Sequence, residues 1–100
     1  QTVGVNQISG NLPEKFLLEQ NYPNPFNPNT NIRYTIEEAG YTSLTVYNSV
    51  GIELSALISE NLQAGSYSAE FNAENYPSGV YYYKLTSGDF TQVKKMILLK

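Results

Sequence analysis

The groups in this chain able to do chemistry are nine carboxylates, five lysines, one arginine, nine tyrosine phenols and the serine and threonine hydroxyls. There is no His, so the commonest general base and the commonest catalytic metal ligand are both missing. There is no Cys, which removes a thiolate nucleophile, a metal–sulfur site and any disulfide framework. A glycosidase-type carboxylate pair needs two side chains converging on one cleft. Glu37 and Glu38 are adjacent, so on a strand they face opposite ways and in a turn both face solvent. Glu53, Glu60, Glu70 and Glu74 alternate with apolar residues and read as exposed positions. Calcium wants clustered acidic oxygens, whereas the only Asp is Asp89, and the asparagines among the prolines read as turn formers. No catalytic residue, no metal site and no cofactor is expected, and the chain is not read as an enzyme.

Charge and composition exclude further classes. Charged residues make up 15% of the chain, with six Lys plus Arg against nine Asp plus Glu and a net charge of -3, where an ordinary domain carries about 25%. A nucleic-acid binder needs a basic stripe to neutralise phosphates, and the only basic cluster is the terminal Lys94, Lys95 and Lys100. Those lysines flank an apolar strand, a common protection against edge-to-edge aggregation. Exposed aromatics can stack on sugars, which makes Tyr41, Tyr47 and Tyr82 a possible carbohydrate platform. The simpler role of strand tyrosines is to pack on a half-buried pleated surface, and Tyr81-Tyr82-Tyr83 must split between two faces. The longest apolar run, Met96 to Leu99, falls far short of the ~20 residues that cross a bilayer, so no membrane-spanning segment is expected. The chain opens on Gln1 with no signal peptide and reads as a piece of a longer polypeptide.

The elements that must position these groups are strands. A chain of 100 residues forms one small domain. Residues 1–11 lack apolar periodicity and read as a linker or tail, with the domain spanning 12–100. Phe16-Leu17-Leu18 is a short apolar run. It ends in Asn21-Tyr22-Pro23-Asn24-Pro25-Phe26-Asn27-Pro28-Asn29, where three prolines forbid a helix and push their neighbours toward extended geometry. That segment is expected to be a rigid coil with Tyr22 and Phe26 turned inward. Period-two alternation follows at Ile32/Tyr34/Ile36, Leu44/Val46, Ile52/Leu54/Ala56/Ile58, Tyr67/Ala69/Phe71, Tyr81/Tyr83/Leu85 and Phe90 to Leu99. Between them lie turns at Glu37–Gly40, Asn48–Gly51, Asn72–Ser78 and Ser87–Asp89, with a loop at Ser59–Ala64. Leu54, Leu57, Ile58 and Leu62 also keep helical spacing, but the flanking pattern favours a strand. About seven short strands at this spacing predict an all-β, immunoglobulin-like antiparallel β-sandwich. Ala64-Gly65-Ser66-Tyr67 and Ser78-Gly79-Val80-Tyr81 repeat a Gly-x-Tyr phrase, in which the phenol of an inward Tyr reaches back to the backbone, as in a tyrosine corner.

Taken in order, Asn21-Tyr22-Pro23-Asn24-Pro25-Phe26-Asn27-Pro28-Asn29-Thr30, Val46-Tyr47-Asn48-Ser49-Val50-Gly51, Ala64-Gly65-Ser66-Tyr67, Tyr76-Pro77-Ser78-Gly79-Val80-Tyr81-Tyr82-Tyr83-Lys84-Leu85 and Lys95-Met96-Ile97-Leu98-Leu99-Lys100 form a recognisable set. The chain from Leu12 to Lys100 resembles the type A C-terminal sorting domain of proteins exported by the type IX secretion system of Bacteroidetes. One departure is Tyr76, where the family usually has Leu before Pro-Ser-Gly. The resemblance implies a domain that follows a cargo in the same chain and directs it, after periplasmic transit, through the outer membrane to the cell surface or medium. It implies as partners the secretion translocon and a sortase-like surface protease that cuts upstream of the domain. It assigns translocon recognition to Pro23, Asn24 and Pro25, to Gly79 and Tyr81, and to the terminal stretch Lys95, Met96, Ile97, Leu98, Leu99 and Lys100. A pre-set Pro-Asn-Pro segment would offer its carbonyls at low ordering cost, and the last strand would pair with a receptor through its edge. The competing reading is a structural or accessory Ig-like module: a spacer, a carbohydrate-binding domain or an assembly domain.

Overall fold

A computed structural model describes residues 15–100. The expected linker at 1–11 and the expected domain start at Leu12 lie outside the described residues. Those that are described form seven strands and no helix: β1 Leu17–Leu18, β2 Asn29–Ile36, β3 Gly40–Tyr47, β4 Glu53–Leu62, β5 Gly65–Asn72, β6 Gly79–Ser87 and β7 Phe90–Leu98. All strand pairings are antiparallel, in a three-stranded sheet β1-β2-β5 and a four-stranded sheet β4-β3-β6-β7. The predicted all-β sandwich is therefore what the chain forms. Compared with the constant immunoglobulin arrangement, the fourth strand has changed sheets, leaving three strands opposite four.

Alternation explains which residues meet between the sheets. Ile32, Tyr34 and Ile36 from β2, Leu44 and Val46 from β3, Tyr67, Ala69 and Phe71 from β5, Tyr81, Tyr83 and Leu85 from β6, and Met96 and Leu98 from β7 all enter one core. Tyr34 and Tyr67, opposite each other in the β2–β5 register, stack at 5.6 Å. A cross-strand aromatic pair of this kind adds to what burial alone supplies.

β4 departs from expectation in extent. It runs to Leu62, so the loop expected at Ser59–Ala64 shrinks to the short step between β4 and β5. Register shifts interrupt its pairing with β3 between Leu44 and Thr45 and between Val46 and Tyr47. These leave Leu57 and Leu54 as extra residues on β4, and each extra residue inverts the alternation. That inversion turns a two-residue period into the 54, 57, 58, 62 spacing that resembled a helix. Ahead of β4, Asn48 organises the turn with its side chain, its Oδ1 accepting from the amides of Val50 and Ile52 at 3.0 and 2.9 Å. Gly51 supplies the positive φ of 91° that this turn needs.

Both Gly-x-Tyr phrases form tyrosine corners. The Tyr67 hydroxyl donates to the Gln63 carbonyl at 2.6 Å and the Tyr81 hydroxyl to the Pro77 carbonyl at 2.5 Å, each four residues back. Tyr76 stacks on Phe71 at 5.9 Å and lies 6.2 Å from Tyr81, so it joins the aromatic packing beside the second corner.

Candidate recognition site at the terminal strand

The proline segment is a coil whose three X-Pro bonds, Tyr22-Pro23, Asn24-Pro25 and Asn27-Pro28, are all cis. Phe26 is inward as expected, but Tyr22 is not, being 80% exposed. The cause is register. Tyr22 and Asn31 exchange both backbone hydrogen bonds at 2.9 Å, and opposed residues share a face. Since Asn31 faces solvent on β2, Tyr22 does too. Asn21 is buried in its place. Its side-chain amide donates to Thr30 Oγ1 at 2.9 Å and to the Pro23 carbonyl at 3.1 Å, and Thr30 donates to the same carbonyl at 2.8 Å.

Tyr83 ties this segment to the opposite sheet. Its hydroxyl accepts from the Asn21 amide and donates to the Glu19 carbonyl, both at 2.7 Å. Burial pushes the Tyr83 phenol up to about 12 and raises Tyr34, Tyr67 and Tyr81 as well. In each case desolvation disfavours the phenolate. The Tyr67, Tyr81 and Tyr83 hydroxyls act as hydrogen-bond donors to backbone carbonyls.

The three segments singled out in the sequence meet at one end of the sandwich. In the β6–β7 register Gly79 lies opposite Leu98, Val80 opposite Ile97 and Tyr81 opposite Met96. On the other side of β7, Phe26 forms a parallel bridge with Leu98. The Phe26 amide donates to the Ile97 carbonyl and the Leu99 amide to the Phe26 carbonyl, each at 2.9 Å. The Asn24 side chain acts as a further strand residue, its Oδ1 accepting from the Ile97 amide at 3.0 Å. Gln20 Nε2 donates to the Lys95 carbonyl at 2.7 Å. Beyond the strand, the Lys100 amide donates to Ser78 Oγ at 3.0 Å and its Nζ to the Glu74 carbonyl at 2.5 Å. Loops from both sheets thus hold the chain end.

This geometry changes what the terminal strand has to offer. β7 is an edge strand of its sheet, but its edge from Lys95 to Leu99 is taken by Gln20, Asn24 and Phe26. At its start, Phe90 stacks on Phe16 at 5.1 Å. The expected free edge for receptor pairing is filled by the chain itself along that stretch. The Pro23 carbonyl is likewise consumed by Asn21 and Thr30. Met96 and Leu98 are fully buried, whereas Lys95, Leu99 and Lys100 are exposed and Ile97 is half-buried. Pro23, Asn24, Pro25 and Gly79 lie at the surface, and Tyr81 is inside.

Sequence reasoning missed Gln20, Asn21, Thr30, Ser78 and Tyr83 as members of this end. Only Tyr83 left a signal: period two places it inward, and a buried phenol needs a hydrogen-bond partner. The proposed tyrosine platform is divided. Tyr47 and Tyr82 face each other across β3 and β6, with Lys84 Nζ 5.4 Å from the Tyr47 ring centre. Tyr41, six residues along β3, is bonded to Ser59 through its hydroxyl.

The family model for the secretion system C-terminal sorting domain matches residues 20–99. The chain belongs to that family, the sorting tails of type IX secretion. It is a family of sorting signals, not of enzymes. No curated protein matches the chain. No helix among the described residues is long and apolar enough to cross a membrane.

Proposed function

We propose that this domain is the address by which the type IX translocon carries an upstream cargo in the same chain across the outer membrane. In this reading the cargo passes through the periplasm. A sortase-like surface protease then cuts ahead of the domain, and the cargo is released or anchored at the cell surface. The observation that carries the proposal is the convergence of Pro23–Pro25, Gly79–Tyr81 and Lys95–Lys100. Three segments far apart in sequence, each part of the family's ordered motif set, assemble into one end of the sandwich. A passive address needs a stable, disulfide-independent fold and a fixed surface, and it needs no reacting groups.

Deleting Lys95–Lys100 would be a poor test, because it removes the core residues Met96 and Leu98 and the domain would unfold. A fluorescent reporter fused ahead of residues 1–100 is the better one, expressed in a type IX-competent host and in the same host lacking the translocon. The expected result is reporter on the surface or in the medium of the first host only. Reporter retained in the periplasm of both hosts would sink the proposal.

A further inference from the structure

The outer face of the four-stranded sheet can be read by parity. The inward residues of β6 and β7 are Tyr81, Tyr83, Leu85, Met96 and Leu98, so Val80, Tyr82, Ile97 and Lys95 point outward. Val80 and Ile97 are cross-strand partners, as are Tyr82 and Lys95. Leu99 continues the outward row and is 61% exposed. Val80, Ile97 and Leu99 therefore form an apolar patch at the terminal end, with the cation of Lys95 on the same face.

This patch differs from an ordinary exposed leucine in how firmly it is held. The Leu99 amide is bonded to Phe26, the Ile97 amide to Asn24 and the Lys100 amide to Ser78. Side chains mounted on a fixed backbone lose little further freedom on binding, and rigid apolar anchors ringed by polar groups dominate interface energetics. The charge is distinctive too: in a chain of net charge -3, this end carries lysines.

We propose that the partner reads the domain through this preassembled face, with Leu99 as the anchor. The partner is a protein surface carrying an apolar hollow for Leu99, Ile97 and Val80 and an acidic group opposite Lys95. Recognition is of a folded surface, not of an extended terminal peptide donated to a sheet edge. This deepens the sorting reading and rests on it.

The test is export of the reporter fusion carrying single substitutions in the domain. Leu99→Asp puts a charge at an exposed position and leaves the core intact, and Lys95→Glu reverses a rim charge. Val50→Asp is the control, an apolar residue 77% exposed in the turn at the far edge of the sheet. Coincident unfolding curves of the purified domains show that each variant is folded. Export is expected to fall about tenfold or more in L99D, the usual scale for a central anchor. It should fall several-fold in K95E and stay at the parent level in V50D. Parent-level export of folded L99D, or an equal fall in V50D, overturns the proposal. Dextran sulfate binding that Tyr82→Ala abolishes, with L99D export unchanged, would assign the face to an anionic sugar and also overturn it. Failure of the parent fusion itself brings down the sorting reading, a result distinct from any of these.

Discussion

Removing a single oxygen from Tyr83 tests whether the phenol bridge holds the proline segment in place. In Tyr83→Phe the ring stays in a fully buried site, so apolar burial is unchanged. Two backbone groups lose their partner: the Asn21 amide, inside the protein, and the Glu19 carbonyl, partly inside. An unsatisfied buried donor costs about 1–3 kcal/mol, and a carbonyl that can still reach water costs about 1 kcal/mol or less. The expected loss is about 1–4 kcal/mol. A domain of this size shifts its Tm by about 4–8 °C per kcal/mol, so the midpoint should drop by roughly 4–32 °C. Tyr67→Phe and Tyr81→Phe are the matched comparison. Each corner hydroxyl donates to one carbonyl, of Gln63 or Pro77, both exposed residues, so each should cost only about 1 kcal/mol. Guanidinium unfolding of the three variants at a common slope separates the cases. A Y83F loss below 1 kcal/mol, or one no larger than that of the two corner variants, would refute the assignment of the bridge.

Two further outcomes follow from the burial of the tyrosines and from the clamp on β7. Tyr34, Tyr67, Tyr81 and Tyr83 all titrate above the ordinary phenol value of 10 when folded. Their contribution to stability is therefore complete below pH 10 and lost as pH rises through the folded values, because the unfolded chain ionises first. Each such tyrosine should contribute a slope of up to about 1.4 kcal/mol per pH unit above pH 10. Phenolate absorbance rising together with loss of β circular dichroism checks this, and full phenolate formation in a still-folded protein would contradict it. Asn24→Ala removes the acceptor of the Ile97 amide and should speed hydrogen exchange there by about tenfold, leaving Tyr83 and Leu85 amides protected. Unchanged exchange at Ile97 would mean that the side chain does not secure the strand.

The strands were legible in the sequence because one face of each is buried, and burial of one face imposes a period of two. The corners were legible because a Gly precedes an inward Tyr by two residues. β4 was misjudged at its end because its two extra residues, Leu54 and Leu57, are defined only against the register of β3. Tyr22 was misplaced for a related reason. An aromatic ring beside prolines suggests burial, but its direction is set by pairing with Asn31, nine residues away. The clamp on the terminal strand is less visible still. Asn24 was read as a turn former, and nothing in its neighbourhood shows that its amide oxygen stands in for a strand carbonyl seventy-three residues from its donor. Local propensity is written in the sequence; which distant backbone group satisfies a polar side chain is decided by assembly.

Because Met96 and Leu98 complete the core, the sandwich cannot close until β7 is supplied, and Asn24 and Phe26 lack their β7 partners before then. A chain broken off between Leu85 and Lys95 would carry every other motif yet lack the assembled end. The fold therefore registers completeness: this end of the sandwich exists only once β7 is in place.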